Sequence, residues 1–239
     1  MRLVILTGAG ISADSGVDTF RDEGGVWSQV RLEDVATPEA FLHTPDRVHA
    51  FYNRRRAQLP NVAPNAAHLA LAALERRLRE DRHEFVLITQ NVDNLHQRAG
   101  SDSVFPMHGQ LDRALCVHCG GVVALTEDLS TKTACPQCQR QGGMRPNIVW
   151  FGEIPHFLDD IAAAIEGADH FVAIGTSGTV YPAAGLVEGA RQAGAVTTLI
   201  NRDPAENDTM FDHIIAGRAA EAVPAWADRL VDSLTERKA

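Results

Sequence analysis

The stretch Arg2-Leu3-Val4-Ile5-Leu6-Thr7-Gly8-Ala9-Gly10-Ile11-Ser12-Ala13 decides the fold. Its apolar run is strand-sized and stops at two glycines one residue apart, which reads as a buried strand feeding a tight turn. Runs of the same kind recur at 85–88, 171–174 and 196–200, and stretches with helical apolar spacing lie between them at 66–78, 158–165, 183–193 and 223–234. Strands that alternate with helices predict an α/β fold, a parallel Rossmann-type sheet with helices on both faces. In such sheets ligands bind beyond the carboxyl ends of the strands. The groups Gly8-Ala9-Gly10, Thr89-Gln90-Asn91-Val92-Asp93, Gly175-Thr176-Ser177-Gly178 and Asn201-Arg202-Asp203 follow directly on these runs, so the chemistry is expected there.

Two stretches break the alternation. Residues 28–63 are strand-poor, punctuated by Pro38, Pro45 and Pro60, and read as short helices, while 110–145 hold every cysteine. At 239 residues the chain is long for one compact domain and short for two full ones. The expected division is a Rossmann-type domain built from 1–27, 64–108 and 146–239, and a smaller domain made of a helical module, 28–63, and a cysteine module, 109–145. The hydrophobic fraction of 45% and charged fraction of 22% fit a globular protein, and no apolar run approaches a membrane span. The run after Arg2 breaks at Gly8, so no targeting signal is expected and the expected location is the cytoplasm. A net charge of −9 argues against nucleic acid as a partner, because duplex binding needs a broad basic patch and only Arg54, Arg55 and Arg56 cluster. A monomer is expected.

Cys116-x2-Cys119 and Cys135-x2-Cys138 are separated by 15 residues. Four thiolates at this spacing suit tetrahedral zinc, and with all four positions filled by sulfur none is left for water, so the expected metal is structural. His118, inside the first knuckle, is surplus to that set and reads as a surface residue.

Gly8-Ala9-Gly10-Ile11-Ser12-Ala13 fits the G-x-G-x-x-G/A turn with alanine in third place. Bare Gly8 and Gly10 let the backbone approach a pyrophosphate, and a helix N-terminus is expected to follow and favour its charge. A dehydrogenase would add an acidic residue about 20 positions on, at the end of a second strand. No strand pattern precedes the acidic residues there, and Phe20-Arg21-Asp22-Glu23-Gly24-Gly25 reads as a loop, so hydride transfer is disfavoured.

Taken together, Gly8-Ala9-Gly10-Ile11-Ser12 continuing to Thr19-Phe20-Arg21, Thr89-Gln90-Asn91-Val92-Asp93-Asn94-Leu95-His96, His108-Gly109, the four cysteines, Val149-Trp150-Phe151-Gly152-Glu153 and Gly175-Thr176-Ser177 resemble the sirtuins, in order and across nearly the whole chain. The resemblance implies NAD bound between a Rossmann-type domain and a small zinc-bearing lobe, with an acyl group moved from lysine to ADP-ribose and nicotinamide released. It implies that the lysine amide oxygen attacks the nicotinamide ribose and that His108 is the general base, acting through the ribose hydroxyls. A neutral imidazole suits that task. By the same resemblance Asn91 and Asp93 meet the nicotinamide carboxamide, Phe20 and Arg21 belong to a loop over the cofactor, and Gly175, Thr176 and Ser177 meet diphosphate or ribose. Asn201, beside Arg202 and Asp203, matches the adenosine ribose contact, and Ala219 a late contact to adenine. Trp27, Gln90 and Val92 complete the implied cofactor set. Asp93 or Asn94 could instead cap the following helix, and Asn201-Arg202-Asp203-Pro204 is also an ordinary turn signal. Val149 and Phe151, with Trp150, are strand-forming types that could pair with an extended peptide between the lobes.

Tyr52 and Arg55 are three apart and share a helix face, where a phenol beside a guanidinium suits a carboxylate. The resemblance is to deacylases that prefer succinyl-lysine and malonyl-lysine, and Ala36 matches their small side chain. Thr19, where many sirtuins outside this group carry aspartate, agrees. The implied partners are acylated lysines of other proteins. Two other readings are an enzyme that mainly attaches ADP-ribose to proteins and a binding module built on the zinc knuckles.

Overall fold

A computed structural model describes residues 1–18 and 30–236. In chain order the elements are β1 (Arg2–Thr7), α1 (Pro38–His43), α2 (Pro45–Gln58), α3 (Ala66–Glu80), β2 (Glu84–Thr89), α4 (Leu95–Ala99) and β3 (Val104–Pro106). There follow β4 (Gly109–Cys116), β5 (Val122–Ala124), β6 (Met144–Ile148), α5 (Leu158–Glu166), β7 (His170–Ile174), α6 (Leu186–Gln192), β8 (Val196–Asn201), β9 (His213–Ala216) and α7 (Ala219–Glu236).

Six strands pair in the order β3-β2-β1-β7-β8-β9, all parallel. The period-2 alternation of a strand sorts β1 between two cores. Val4 and Leu6 join Phe171, Ala173 and Leu199 under α5 and α6, whereas Leu3 and Ile5 join Leu87, Val172 and Ile174 under α3 and α7. β1 and β7 are therefore apolar on both faces, which is why their runs read as continuous rather than alternating. The chain leaves β1 towards β2 and returns on its other side as β7, so the connections diverge at the carboxyl ends of β1 and β7 and open a crevice there.

The smaller antiparallel sheet, β5-β4-β6, was not foreseen in the sequence. It runs past Arg145, because β6 pairs with β4 from Gly109↔Ile148 to Cys116↔Met144. One end of it packs on α1 and α2 through Leu111, Ile148, Phe51 and Tyr52, and the other end joins the cysteines through Ala114, Leu129 and Met144. β9 was also not foreseen. Between 183 and 193 the expected helix is α6 preceded by a short 3-10 turn, Ala183–Gly185.

Candidate functional site

Each parallel strand delivers a polar group to the crevice. The β1 turn comes first. Gly8 and Gly10 are bare because the backbone after β7 lies against them: a methyl on Gly10 would meet Gly175 Cα at 2.7 Å, and one on Gly8 would meet Gly175 O at 2.8 Å. The Gly10 N–H donates to Gly175 O at 2.8 Å, and Gly175 itself is left-handed with φ +63°. The expected helix N-terminus is absent. Two three-residue 3-10 turns, Ala9–Ile11 and Ala13–Ser15, follow instead and end at left-handed Gly16, so the turn offers single N–H groups rather than a helix dipole.

The residues after β2 form a buried polar network around Ser12. Its hydroxyl donates to Asp93 Oδ2 at 2.9 Å and accepts from Asn91 Nδ2 at 3.1 Å. Asp93 Oδ1 accepts from the Leu95 N–H at 3.0 Å, so this carboxylate both caps α4 and faces the crevice. Burial raises the Asp93 pKa against the opposing pull of those bonds and of Arg55 and Arg98. Behind Ser12 stands His68, whose Nδ1 accepts from the Asn65 N–H at 3.3 Å. The His68 proton is therefore on Nε2, 3.4 Å from the Ser12 oxygen. Burial pushes the His68 pKa down to about 4. Sequence reading passed over His68 and quoted His96, whose ring is tilted against it with centroids 4.8 Å apart, only within a motif; the signal for His68 was a histidine on the apolar face of a helix.

His108 follows β3. Its Nδ1 lies 3.1 Å from Gln90 O, a carbonyl that can only accept, so Nδ1 carries the proton and Nε2 keeps a free lone pair. Burial first, and the nearby His156 second, lower the His108 pKa, while the Gln90 bond opposes them. The imidazole is neutral at pH 7 and able to accept a proton.

These groups line a cavity of about 510 Å³. Ala9, Gly10, Ser12, Gln90, Asn91, Val92, Asp93, His108, Gly175, Thr176, Ser177, Asn201, Arg202, Asp203 and Ala219 all face it. Gly8 and Ile11 do not. Gly8 supports Thr176 from beneath, and Ile11 is a core side chain. Phe20, Arg21 and Trp27 lie outside the described residues. Gln90 Nε2 and Asn201 Nδ2 hold Thr176, the first donating to its hydroxyl at 3.1 Å and the second to its carbonyl at 2.9 Å. Arg218, not singled out in the sequence, lines the cavity and pairs with Asp14. It stands just after β9, and recognition of that strand was the signal needed. Amide donors and acceptors at one end, with bare backbone and hydroxyls at the other, fit a dinucleotide such as NAD. Asp14 and Asp203 are already paired with arginines, so they oppose a pyrophosphate less.

The same cavity is walled by the smaller lobe. Ala36, Tyr52, Arg55, Val149 and Phe151 all line it, as does Trp150. Val149 to Phe151 are not a strand: β6 ends at Ile148, and the chain turns at Phe151, whose N–H donates to Ala36 O at 3.0 Å. Tyr52 and Arg55 share one face of α2, as their spacing predicts. Burial pushes the Tyr52 phenol up to about 12, against the Arg55 charge, so it stays a neutral donor.

The four cysteine sulfurs lie within 4.8 Å of one another, with Cys116–Cys138 and Cys119–Cys135 both at 3.8 Å. A tetrahedron with Zn–S bonds of about 2.3 Å has edges of about 3.8 Å. The two knuckles match: the residue after each pair, Gly120 or Gln139, is left-handed, and its N–H donates back to the first cysteine's carbonyl at 2.8 Å. The donor set fits zinc. His118 is exposed and its Nε2 lies 3.2 Å from Gln141 O, outside the set.

The Sir2 family model matches residues 8–182. A Caulobacter vibrioides protein described as an NAD-dependent protein deacylase is 51% identical over 234 residues, 98% of both chains. A crystal structure of a Sir2 homologue with NAD superposes with a TM-score of 0.86 at 36% identity, covering 97% of this chain and 90% of that one. A Sir2 variant with a deacetylated p53 peptide and 3′-O-acetyl-ADP-ribose superposes at 0.79 and 29% identity, covering 97% and 93%. With a family model spanning 8–182 and a relative 51% identical along nearly the whole chain, the chain belongs to the Sir2 family.

Proposed function

We propose that this protein is an NAD-dependent protein-lysine deacylase that removes acetyl, succinyl and malonyl groups. One observation carries the reading: His108, its Nδ1 held 3.1 Å from the Gln90 carbonyl, lies in the same cavity as the Ser12–Asn91–Asp93 network and the Tyr52–Arg55 pair. When bound, NAD supplies a labile bond to nicotinamide and a ribose that receives the acyl group. Asn91 and Asp93 offer an amide and a carboxyl to the nicotinamide carboxamide, and Ser12 fixes both. Gly10, Thr176, Ser177, Asn201 and Ala219 line the end suited to phosphates and adenosine. His108 takes a proton at Nε2 while the Gln90 carbonyl stabilises the charge that develops on its ring. The zinc site holds the small lobe, 28–63 and 109–145 extended to the end of β6, in the position that completes the wall.

The acyl-lysine enters from the side of Val149 and Phe151. Phe151 is half exposed, and backbone groups around it suit an extended peptide of loosely specified sequence. Tyr52 and Arg55 receive a terminal carboxylate, and the small Ala36 leaves room for a longer chain. Four cysteines gathered for a metal rather than in disulfides suit a reducing compartment such as the cytoplasm. The reading that the enzyme mainly ADP-ribosylates proteins has no support in the acidic-acyl pocket, which such a reaction would not use. The test is a succinylated and an acetylated peptide incubated with and without NAD, followed by mass spectrometry. Both acyl groups should be lost only with NAD, and retention of both would refute the proposal.

A further inference from the structure

Trp150 occupies an unusual position for a residue past the end of a strand. It is 2% exposed, and three separate contacts fix it. Its backbone N–H donates to Glu153 Oε2 at 2.8 Å. The Arg145 guanidinium, clamped to both oxygens of Glu153 at 2.6 and 2.8 Å, lies 3.4 Å from the centre of the Trp150 ring system. Its indole Nε1–H donates to Tyr52 Oη at 3.0 Å, joining two residues 98 positions apart.

An indole N–H can only donate, so the Tyr52 oxygen is the acceptor in that bond. The phenol keeps its own proton, and among the described residues no group accepts it. One lone pair is taken from the protein side, and the hydroxyl hydrogen is left to point into the cavity that Tyr52 lines. A hydroxyl that accepts one hydrogen bond is a better donor in the next, because the chain polarises. The cation over the indole face withdraws electron density from the ring and strengthens the N–H as a donor.

We propose that Trp150 is a positioning residue for acidic-acyl specificity: its indole N–H orients and polarises the Tyr52 hydroxyl, which donates to the terminal carboxylate of the acyl group. The inference rests on the acidic-acyl reading above. Acetyl-lysine has no such carboxylate and gains nothing from the arrangement.

The test is kinetic, with succinyl-lysine and acetyl-lysine forms of one peptide and four proteins: wild type, Trp150→Phe, Tyr52→Phe and the double variant. Phenylalanine keeps an aromatic face for Arg145 and deletes the N–H. Trp150→Phe should lower kcat/KM for desuccinylation by about 3-fold to 10-fold, the worth of one neutral hydrogen bond. The loss should appear mostly as a raised KM, and it should exceed any loss of deacetylation by about that factor. In the Tyr52→Phe background the same replacement should change desuccinylation less than about 2-fold, because the group it acts through is gone. Equal losses for both substrates, or the same loss with and without the phenol, overturn the proposal. If Tyr52→Phe lowers desuccinylation and Trp150→Phe does not, this inference falls and the acidic-acyl pocket stands. If Tyr52→Phe leaves desuccinylation intact, this inference falls, and equal losses of both activities in Arg55→Met would take the acidic-acyl pocket with it.

A second readout uses the wild-type protein and does not depend on the variant folding. The indole N–H resonances of ¹⁵N-labelled protein, with Trp150 assigned by elimination after Trp27 and Trp226 are each replaced, are followed on addition of each peptide. The Trp150 resonance should shift downfield more with the succinyl form than with the acetyl form. An equal shift with both overturns the proposal.

Discussion

Removal of the metal should dismantle the substrate wall before the sheet. The cysteine module buries few apolar side chains of its own, chiefly Leu129 and Met144 with Ala114. Two such side chains contribute roughly 3 to 6 kcal/mol, whereas zinc contributes about 10 to 16 kcal/mol in small zinc domains. Without metal the module therefore unfolds. Its loss is felt on α2, because Asn53 Nδ2 donates to Leu129 O at 2.8 Å, Leu129 N donates to Asn53 Oδ1 at 3.1 Å, and Arg56 pairs with Asp128 at 2.8 Å. These bonds sit beside Tyr52 and Arg55. Two neutral bonds and one exposed pair are worth about 2 to 3 kcal/mol together, or roughly 30-fold to 150-fold in the population of a competent α2. The six-stranded sheet has its own two cores and should persist. Dialysis against a chelator, followed by zinc assay, circular dichroism and kcat/KM on both substrates, checks this. Deacylation should fall by about that factor, with desuccinylation hit harder, while most helical signal remains. Full activity after stoichiometric zinc loss, or a single collapse of the whole chain, would refute the reasoning.

His108→Ala should lower kcat by about 100-fold to 10,000-fold or more, measured as nicotinamide release with peptide present. Because burial lowers the His108 pKa below its ordinary value of about 6.5, wild-type kcat/KM should be level above pH 7 and decline only below about 6.5, and an acid limb centred above pH 7 would contradict the assignment. Arg55→Met should reduce desuccinylation by about 10-fold to 150-fold and largely spare deacetylation, and equal loss would exclude a carboxylate contact. Stability should also fall with acid. His68 is held neutral with a pKa near 4, so between there and about 6.5 the unfolded chain binds the extra proton. The stabilisation from this one ring is present in full above about 6.5 and about 3 kcal/mol is lost by pH 4, with buried His96 adding in the same direction. Urea titrations from pH 7.5 to 4.5 read it, and a flat profile would contradict it.

The parallel sheet was legible because β1 and β7 are apolar on both faces, so 2–6 and 171–174 stand out as runs. The second sheet was not. β4 carries Gln110, Asp112 and Arg113, and β6 contains Pro146 and Asn147, so neither shows a clean run or a clean alternation, and their pairing is set by the metal knuckle at one end and Gly109 at the other. Four-residue β9 is an edge strand, and its Ile214 is exposed. The glycine turn was recognised but the reason for Gly10 was only half visible: the phosphate pattern is local, whereas the contact with Gly175 joins residues far apart in the chain. In place of the expected helix stand two 3-10 turns that stop at left-handed Gly16, a backbone feature that the G-x-G-x-x-A pattern does not report. Trp150 was visible only as a strand-forming type, since nothing local shows that its N–H meets Tyr52.

The fate of the acyl carbon tests the central claim most directly. A peptide with a ¹³C-labelled acetyl or succinyl group is turned over with NAD, and the products are resolved by mass. The account predicts that the label leaves the lysine and appears on ADP-ribose, one acyl group for each nicotinamide released. Label appearing directly as a free acid with NAD intact, or ADP-ribose attached to protein while the lysine keeps its acyl group, would contradict it.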